Sequence, residues 1–258
     1  MLSSIDHLAR GYVVTWAGVT RVWTSERGVR EVKLPSWRHG APAEARSESV
    51  TVVESERGTA ADAHLAQALR ELVEFYEGSR REFTVALDPE GDRFYQKIWL
   101  EVARVPYGET RSYGEIARAV ATLEASRAVG AANGANPVAP FVPCHRIVGS
   151  DGKLTGYGPG LPLKQRLLVM EDAVPASAAD YPAWTRRLAA RYGEDALLGI
   201  RGVGVYCRLD CQKERPQRLL PGRIFRSAED ARAAGFTPCP VCQPVRERAM
   251  MRQESLFV

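Results

Sequence analysis

The chain has 258 residues, of which 45% are hydrophobic and 26% are charged, and its formal net charge is +4. This balance is typical of a folded water-soluble protein and argues against a disordered or membrane protein. No apolar stretch reaches the roughly 18 residues that span a bilayer, and Met1–Arg10 lacks the features of a secretory signal, so we expect a cytoplasmic protein with no membrane partner.

Positive charge is concentrated at the C-terminal end of the chain. Residues 180–258 contain 14 Lys and Arg against 9 Asp and Glu, and nearly all of the basic residues are arginine. Because the guanidinium group makes forked contacts with phosphate, this distribution permits a nucleic-acid partner.

The N-terminal part of the chain alternates as a small sheet does. Three β-rich runs separated by short turns predict a meander, namely Tyr12–Trp16, Thr20–Thr24 and Val29–Leu34. The connection that follows is polar and has room for one strand at Ser49–Val53. Apolar residues at helical spacing then predict a helix from Ala61 to Tyr76, and alternation predicts a strand at Phe83–Leu87. We expect a small α/β domain over residues 1–90.

A block of helices follows this domain. One helix is predicted to begin near Asp92 and to end at the turn Pro106–Gly108. Ser112 and Glu115 have the spacing of a capping box, which predicts the start of another helix. A third predicted helix, Ser126–Asn133, consists mostly of small residues, which allow another backbone to come close. The last two helices have the arrangement of a helix-turn-helix.

The segment after this pair leads to a cysteine that stands alone in mid-chain. Asn136-Pro137 is predicted to end the helix, and Val138–Val142 is predicted to be extended. A lone cysteine is usually a small buried hydrophobe. Cys144, however, is followed by His145, and a neighbouring base is what makes a thiol nucleophilic. Glu171, at the end of the next predicted helix, is a candidate to orient that imidazole.

These residues belong to several motifs that occur in a fixed order. The motif Pro143-Cys144-His145-Arg146 is joined by Pro106–Thr110, Ser112-Tyr113, Ser126–Gly130, Asn136–Val138 and Gly156-Tyr157 before Lys164. Together they resemble the O6-alkylguanine-DNA alkyltransferase family over roughly Phe94 to Glu171. The resemblance implies DNA repair by irreversible, stoichiometric transfer of a methyl or alkyl group from O6-alkylguanine to Cys144. It also implies double-stranded alkylated DNA as the partner, a ribonuclease-H-like N-terminal domain and no organic cofactor.

The resemblance assigns catalytic roles to five residues. It implies that Cys144 accepts the alkyl group, that His145 activates it through a water, and that Glu171 holds the imidazole. It further implies that Tyr113 assists nucleotide flipping and stabilises the guanine leaving group. Asn136 would tie the DNA-binding helix to the cysteine loop. Taken singly, Tyr113 is better explained as a core aromatic, Asn136 as a helix stop and Glu171 as a solvated helix end. Because the residues occur together and in register, the functional interpretation is preferred.

The same resemblance implies how DNA is bound. Arg127 would enter the base stack in place of the flipped nucleotide, although by itself it could be an ordinary surface cation. The helix would lie in the minor groove through its small residues Ala128, Gly130 and Ala131. Two positions depart from the family pattern, because Pro159 follows the Gly-Tyr pair where a small residue is common and Ala139 replaces a frequent proline. Both departures could reshape the wall of the pocket.

The other four cysteines have the spacing of a metal site. Cys207 and Cys211 form one close pair, and Cys239 and Cys242 form another after a gap of 27 residues. Such an array predicts a tetrahedral zinc site, which could be purely structural. Pairing of the cysteines in disulfide bonds is the poorer interpretation, because the chain has an odd number of cysteines, five, and no secretion signal.

The sequence around these cysteines resembles the zinc domain of the Ada family, over about Leu198 to Pro244. In that family the zinc domain precedes the guanine-repair domain, so the order here is reversed. The resemblance implies that zinc-bound Cys207 accepts a methyl group from a DNA methyl phosphotriester. Leu209-Asp210 replaces a small and proline-containing pair, and Asp210 would be repelled by phosphate.

The tail Gln253–Phe257 resembles the short peptides that bacterial proteins use to bind the replicative sliding clamp, although a frayed tail explains it equally well. We predict an α+β protein with an alkyltransferase domain over residues 91–173, a linker at 174–183, a zinc domain over 184–246 and a tail at 247–258. The alternative function is a non-enzymatic DNA-damage sensor or transcriptional regulator with a zinc DNA-binding module.

Overall fold

The structure is a computed structural model that describes residues 8–54, 58–120, 125–211 and 222–244. The chain forms two compact units. The first unit comprises the chain up to Tyr107 together with Tyr113–Ile147 and Thr155–Leu167. The second unit comprises Gly108–Ser112, Val148–Leu154 and the chain from Leu168 onward. Among the helices of the described ranges, none is both long and apolar enough to cross a membrane.

A four-stranded antiparallel sheet opens the first unit, in the order β3-β2-β1-β4. Its strands are β1 Ala9–Thr15, β2 Gly18–Ser25, β3 Gly28–Lys33 and β4 Val50–Val53. The predicted meander and the single later strand are therefore confirmed. Helix α1, Ala60–Tyr76, packs on this sheet with Leu65, Leu69 and Leu72 fully buried. Thr59 and Asp62 form a capping box at its start.

The strand predicted at Phe83–Leu87 is wrong, because the segment forms only an isolated bridge between Leu87 and Val29. The buried carboxylate of Glu71 on α1 accepts hydrogen bonds from the backbone N–H groups of Thr84, at 2.9 Å, and Val85, at 3.2 Å. The segment is thus held by a helix side chain instead of by a strand ladder, and its alternating apolar residues gave no sign of this.

The helical part of the first unit confirms both helices of the predicted helix-turn-helix, whose connection at 121–124 lies outside the described residues. Its helices are α2 Arg93–Ala103, α3 Tyr113–Val120 and α4 Ser126–Gly134, and these three pack against one another. Asp92 caps α2 through the backbone N–H groups of Phe94 and Tyr95. The indole of Trp99 on α2 donates a 2.8 Å hydrogen bond to the carbonyl of Ala132, which closes the end of α4. Helix α5 covers Leu161–Met170.

The segment predicted to be extended, Val138–Val142, is instead a tight turn. The backbone N–H of Val142 donates to the carbonyl of Val138 at 3.1 Å. The side chain of Asn136 stabilises this turn, because its amide nitrogen donates to Val142 and its oxygen accepts from Val138. The competing interaction is therefore a local side-chain cap, which polar-apolar patterning does not reveal.

The second unit contains a four-stranded sheet in the order β10-β8-β7-β9. Its strands are β7 Leu197–Ile200, β8 Val205–Arg208, β9 Arg223–Phe225 and β10 Thr237–Pro238, with helices α6 Tyr181–Tyr192 and α7 Ala228–Ala233. One core joins α6 to the cysteines, and another joins Tyr206 and Phe225 to α7. Two further short strands are β5 Arg111–Ser112 and β6 Ile147–Val148.

Candidate functional site

Cys144 begins a single 3-10 turn, Cys144–Arg146, and only 6% of its surface is exposed. The guanidinium of Arg146 fixes this turn, because it donates a 2.7 Å hydrogen bond to the carbonyl of Val105 and lies over the ring of Tyr107. The backbone N–H of Cys144 donates to the carbonyl of Val142 at 2.9 Å. The thiol is therefore held on a rigid segment.

Cys144 opens into a cavity of about 370 Å³. The cavity is lined by β3 and the residues just after it, by the C-terminal end of α4, and by the segment Tyr157–Pro159. Its volume lies within the range of small-molecule binding sites. Ala139 and Pro159, the two departures from the family pattern, both line the wall. The thiol thus faces a chamber large enough for a nucleobase.

Two opposing effects act on the pKa of the Cys144 thiol. Burial raises the pKa of the thiol, whereas a hydrogen bond from Asn136 and the charge of Lys164 lower it. Lys164, on α5, is fully buried, and its ammonium nitrogen donates to the carbonyls of Ile147 at 2.6 Å and Thr155 at 2.8 Å. Burial lowers the pKa of Lys164 to about 8, against the opposing charge of Cys144. The net effect leaves the pKa of Cys144 above its ordinary value, and the charge of Lys164 offsets part of the effect of burial.

The structure also describes the other predicted catalytic residues. His145 is fully buried in the first unit, with its ring centroid 6.5 Å from that of Phe75. Glu171 is fully buried in the second unit, where its carboxylate accepts a 3.4 Å hydrogen bond from the backbone N–H of Gly108. Each of these ionisable side chains is therefore shielded from water within its own unit.

Tyr113, the first residue of α3, is half-buried. Its hydroxyl donates to the carbonyl of Thr155 at 3.3 Å, and burial raises its pKa. Gly156 lies close to this hydroxyl, since a Cβ added to Gly156 would lie 3.3 Å from the Tyr113 oxygen. The site therefore presents a phenol that keeps its proton at neutral pH.

Helix α4 has one buried face and one open face. Val129 and Ala132 are buried, whereas Arg127 and Ala131 are exposed. Ala128 is partly exposed, and there is open space above Gly130 and Gly134, where an added Cβ would meet no atom within 4 Å. The result is a smooth helix surface that carries one long cationic side chain.

The four remaining cysteines come together in the second unit. Their sulfur atoms all lie within 4.8 Å of one another, close to the roughly 3.8 Å edge expected for a tetrahedron with 2.3 Å zinc–sulfur bonds. Burial and the neighbouring cysteines raise the pKa of Cys207. Burial also acts on Cys239, but backbone N–H groups of Cys242 and Val241 outweigh it and lower the pKa of that thiol. Four sulfur atoms this close together, with backbone N–H groups that stabilise a thiolate, form a site that fits a zinc ion.

Family models match both parts of the chain. Residues 93–173 match the DNA binding domain of 6-O-methylguanine DNA methyltransferase, and residues 179–245 match the metal binding domain of Ada. A methylated-DNA–protein-cysteine methyltransferase of Methanosarcina acetivorans is 50% identical over 107 residues, which are 42% of this chain and 69% of that protein. The chain belongs to the methylated-DNA–protein-cysteine methyltransferase family.

A second relative and a solved structure show the same similarity. The homologue of Mycolicibacterium paratuberculosis is 51% identical over 106 residues, which are 41% of this chain and 64% of that protein. The chain thus spans about two thirds of the length of these relatives. Among solved structures, Mycobacterium tuberculosis OGT in complex with DNA aligns with a TM-score of 0.50 and 35% identity, covering 62% of this chain and 90% of that one.

Two residues of this methyltransferase site were missed by sequence reasoning. The sequence analysis names Lys164 only as part of a family motif and assigns it no role. Its position between Leu163 and Leu167, on the apolar face of a helix, indicates a buried lysine. Asn133 is buried and lines the cavity. It lies near the hydroxyl of Tyr113, but neither of its side-chain atoms completes a hydrogen bond among the described residues.

Proposed function

We propose that the protein repairs O6-alkylguanine in double-stranded DNA by moving the alkyl group to Cys144. The observation that carries the proposal is the rigidly held thiol of Cys144 facing a base-sized cavity. The sulfur attacks the alkyl carbon, a sulfur–carbon bond forms, and the bond from that carbon to O6 breaks. Because the thioether product is chemically inert, each chain acts once.

Protons balance through two neighbours of the reacting atoms. The thiol proton of Cys144 leaves towards His145 through a water, and Glu171 holds the imidazole in the accepting orientation. The departing guanine leaves as an anion that accepts a hydrogen bond from the hydroxyl of Tyr113, whose raised pKa keeps it protonated. The guanine anion then takes a proton from water, and the imidazolium of His145 returns its proton to solvent. Lys164 supports the thiolate before the attack, because its charge lowers the pKa of Cys144.

DNA would be bound through the open face of α4. A base inside a duplex cannot reach a buried thiol, so the nucleotide has to rotate out of the stack. Arg127 would fill the gap, and the small residues Ala128, Gly130 and Ala131 would let the helix approach the minor groove. Apart from Arg127, the described residues on this face have small side chains, which supports the proposal.

Peptide mass spectrometry tests the reaction. Zinc-loaded protein is incubated with a duplex that carries O6-methylguanine, and Cys144→Ser serves as the control. We expect one methyl group on Cys144 that saturates at one per chain. Tight binding to the damaged duplex without any methylated cysteine would contradict the repair function and favour the alternative, a damage sensor or regulator.

We also propose that Cys207 is a second acceptor, which takes a methyl group from a DNA methyl phosphotriester and leaves a phosphodiester anion. The match of residues 179–245 to the metal binding domain of Ada supports this. Bound zinc would keep the four sulfurs as thiolates at neutral pH. Duplex DNA with a labelled methyl phosphotriester should label Cys207 in Cys144→Ser protein, and an unlabelled Cys207 would reject the second reaction.

The clamp-binding peptide, Gln253–Phe257, lies outside the described residues and stays a prediction. Removal of residues 253–258 should abolish capture of the protein by immobilised sliding clamp. Capture that persists at the same level would exclude this segment as the clamp-binding peptide.

A further inference from the structure

Helix α6 of the second unit holds the turn that carries Glu171. The guanidinium of Arg191 donates to the carbonyl of Glu171 at 3.2 Å, and the indole of Trp184 donates to the carbonyl of Asp172 at 2.7 Å. Arg187 adds a 2.7 Å ion pair with the carboxylate of Asp172. Carbonyls at the end of a helix have no partner within the helix, so these donors from α6 fix the turn.

The same helix packs against the zinc cysteines. Trp184 and Leu188 are buried in one core with Cys207, Cys211 and Cys239. The indole of Trp184 therefore contacts the cysteine core with its ring while its N–H bonds the turn after Glu171. Because zinc fixes the positions of the sulfurs, it also fixes the surface on which α6 rests.

Other residues of the second unit hold the loop Gly108–Ser112. The guanidinium of Arg201 donates to the carbonyl of Thr110 at 3.1 Å, and the hydroxyl of Thr110 donates to the carbonyl of Gly222 at 3.0 Å. Thr110 belongs to the loop Gly108–Ser112, whose first N–H bonds the carboxylate of Glu171. This loop is fully or largely buried and leads directly into Tyr113.

The guanidinium of Arg191 lies beside both Gly108 and the carbonyl of Glu171. A Cβ added to Gly108 would lie 2.1 Å from a guanidinium nitrogen of Arg191 and 2.7 Å from the carbonyl oxygen of Glu171. The glycine, the arginine and the glutamate are thus packed at the limit of contact. Displacement of Arg191 has to move the peptide that carries Glu171 or the loop that bonds its carboxylate.

We propose that helix α6 positions Glu171, and that Arg191 is a positioning residue which acts on the proposed Cys144 chemistry through that carboxylate. This inference rests on the proposed function, in which Glu171 orients His145.

Three arginine variants of the zinc-loaded full chain test the proposal. Arg191→Met removes the donor, Arg191→Lys keeps one, and Arg186→Met changes an exposed arginine on the same helix. We measure the single-turnover rate of Cys144 methylation on O6-methylguanine duplex from pH 6 to 9. We expect R191M to be about tenfold slower, R191K to recover most of the rate, and R186M to match the wild type.

Rescue by Arg191→Lys separates positioning of the Glu171 turn from general destabilisation, because lysine restores a donor for the carbonyl of Glu171. If R191M does not fold, Arg187→Met carries the same expectation. Wild-type protein that leaves Cys144 unmethylated would refute the proposed function, whereas a working wild type with identical R191M and R186M profiles would refute only this inference.

Discussion

The side-chain amide of Asn136 donates a 2.8 Å hydrogen bond to the carbonyl oxygen of Val142, and its oxygen accepts one from the N–H of Val138. The end of α4 is thereby tied to the residues that lead into Cys144. The same side chain lowers the pKa of the thiol by a hydrogen bond. One residue therefore connects the end of α4 to Cys144.

Replacing Asn136 by alanine should impair both stability and reactivity. The N–H of Val138 loses its partner, which costs about 1–3 kcal/mol of unfolding free energy, whereas the carbonyl of Val142 keeps its hydrogen bond from the N–H of Cys144. Loss of the hydrogen bond to sulfur raises the pKa of Cys144, and one pKa unit corresponds to about a tenfold lower thiolate fraction. Urea denaturation and single-turnover methylation rates measure the two effects.

Asn136→Asp gives the matched comparison. Its carboxylate still accepts from Val138 but cannot donate to Val142, and it places a negative charge beside the thiol. We expect a larger rate loss than in Asn136→Ala at neutral pH, because like charge raises the pKa of Cys144 further. Equal rates for the two variants would show that Asn136 has no electrostatic effect on the thiol.

Lys164→Met should slow methylation in a pH-dependent way. The protonated amine lowers the pKa of Cys144, and burial places the pKa of the amine itself at about 8. Below that pH the wild type carries the charge and the variant does not, so the wild type should react roughly tenfold faster. Above it the wild-type lysine loses its proton, and the two rates should converge. A constant ratio from pH 6.5 to 9 would contradict this.

The sequence points to residues in short local motifs more readily than to residues that reach the site from a distance. Cys144, His145 and the four clustered cysteines stand in such motifs, and the structure brings the four cysteines together as their spacing predicts. Lys164 and Asn133 were not identified, because their roles arise from burial against distant segments. The supposed strand at Phe83–Leu87 failed for the same reason, since its hydrogen bonds go to Glu71 on a preceding helix.

Asn133→Leu should separate stability from recognition. An amide buried without a hydrogen-bond partner costs about 1–3 kcal/mol, so leucine should leave the unfolding free energy unchanged or raise it. A flipped base in the cavity offers the amide its missing donors and acceptors. We therefore expect slower methylation, by about tenfold, in a protein that is no less stable. Unchanged rates would mean that Asn133 does not contact the base.

Arg127→Ala should affect duplex DNA selectively. If the guanidinium fills the gap left by the flipped nucleotide, its loss should lower the rate on O6-methylguanine duplex by about 10- to 100-fold, since unstacking costs a few kcal/mol. The reaction with free O6-alkylguanine base needs no flipping and should be unchanged. Arg70→Ala, an exposed arginine on α1, is the control. Equal losses on duplex and free base would place Arg127 in the chemistry instead.

Asp210→Ser should strengthen DNA binding by the zinc module. The guanidinium of Arg208 makes a forked pair with the carboxylate of Asp210, at 2.9 and 3.1 Å, in the geometry that a backbone phosphate would take. The pair is largely exposed, so its loss should cost little stability. Serine releases Arg208 from this carboxylate for phosphate, and the slope of log affinity against log salt should steepen by about one. The double variant with Arg208→Ala should return the slope to its original value. An unchanged slope in Asp210→Ser would show that the carboxylate does not compete with DNA for Arg208.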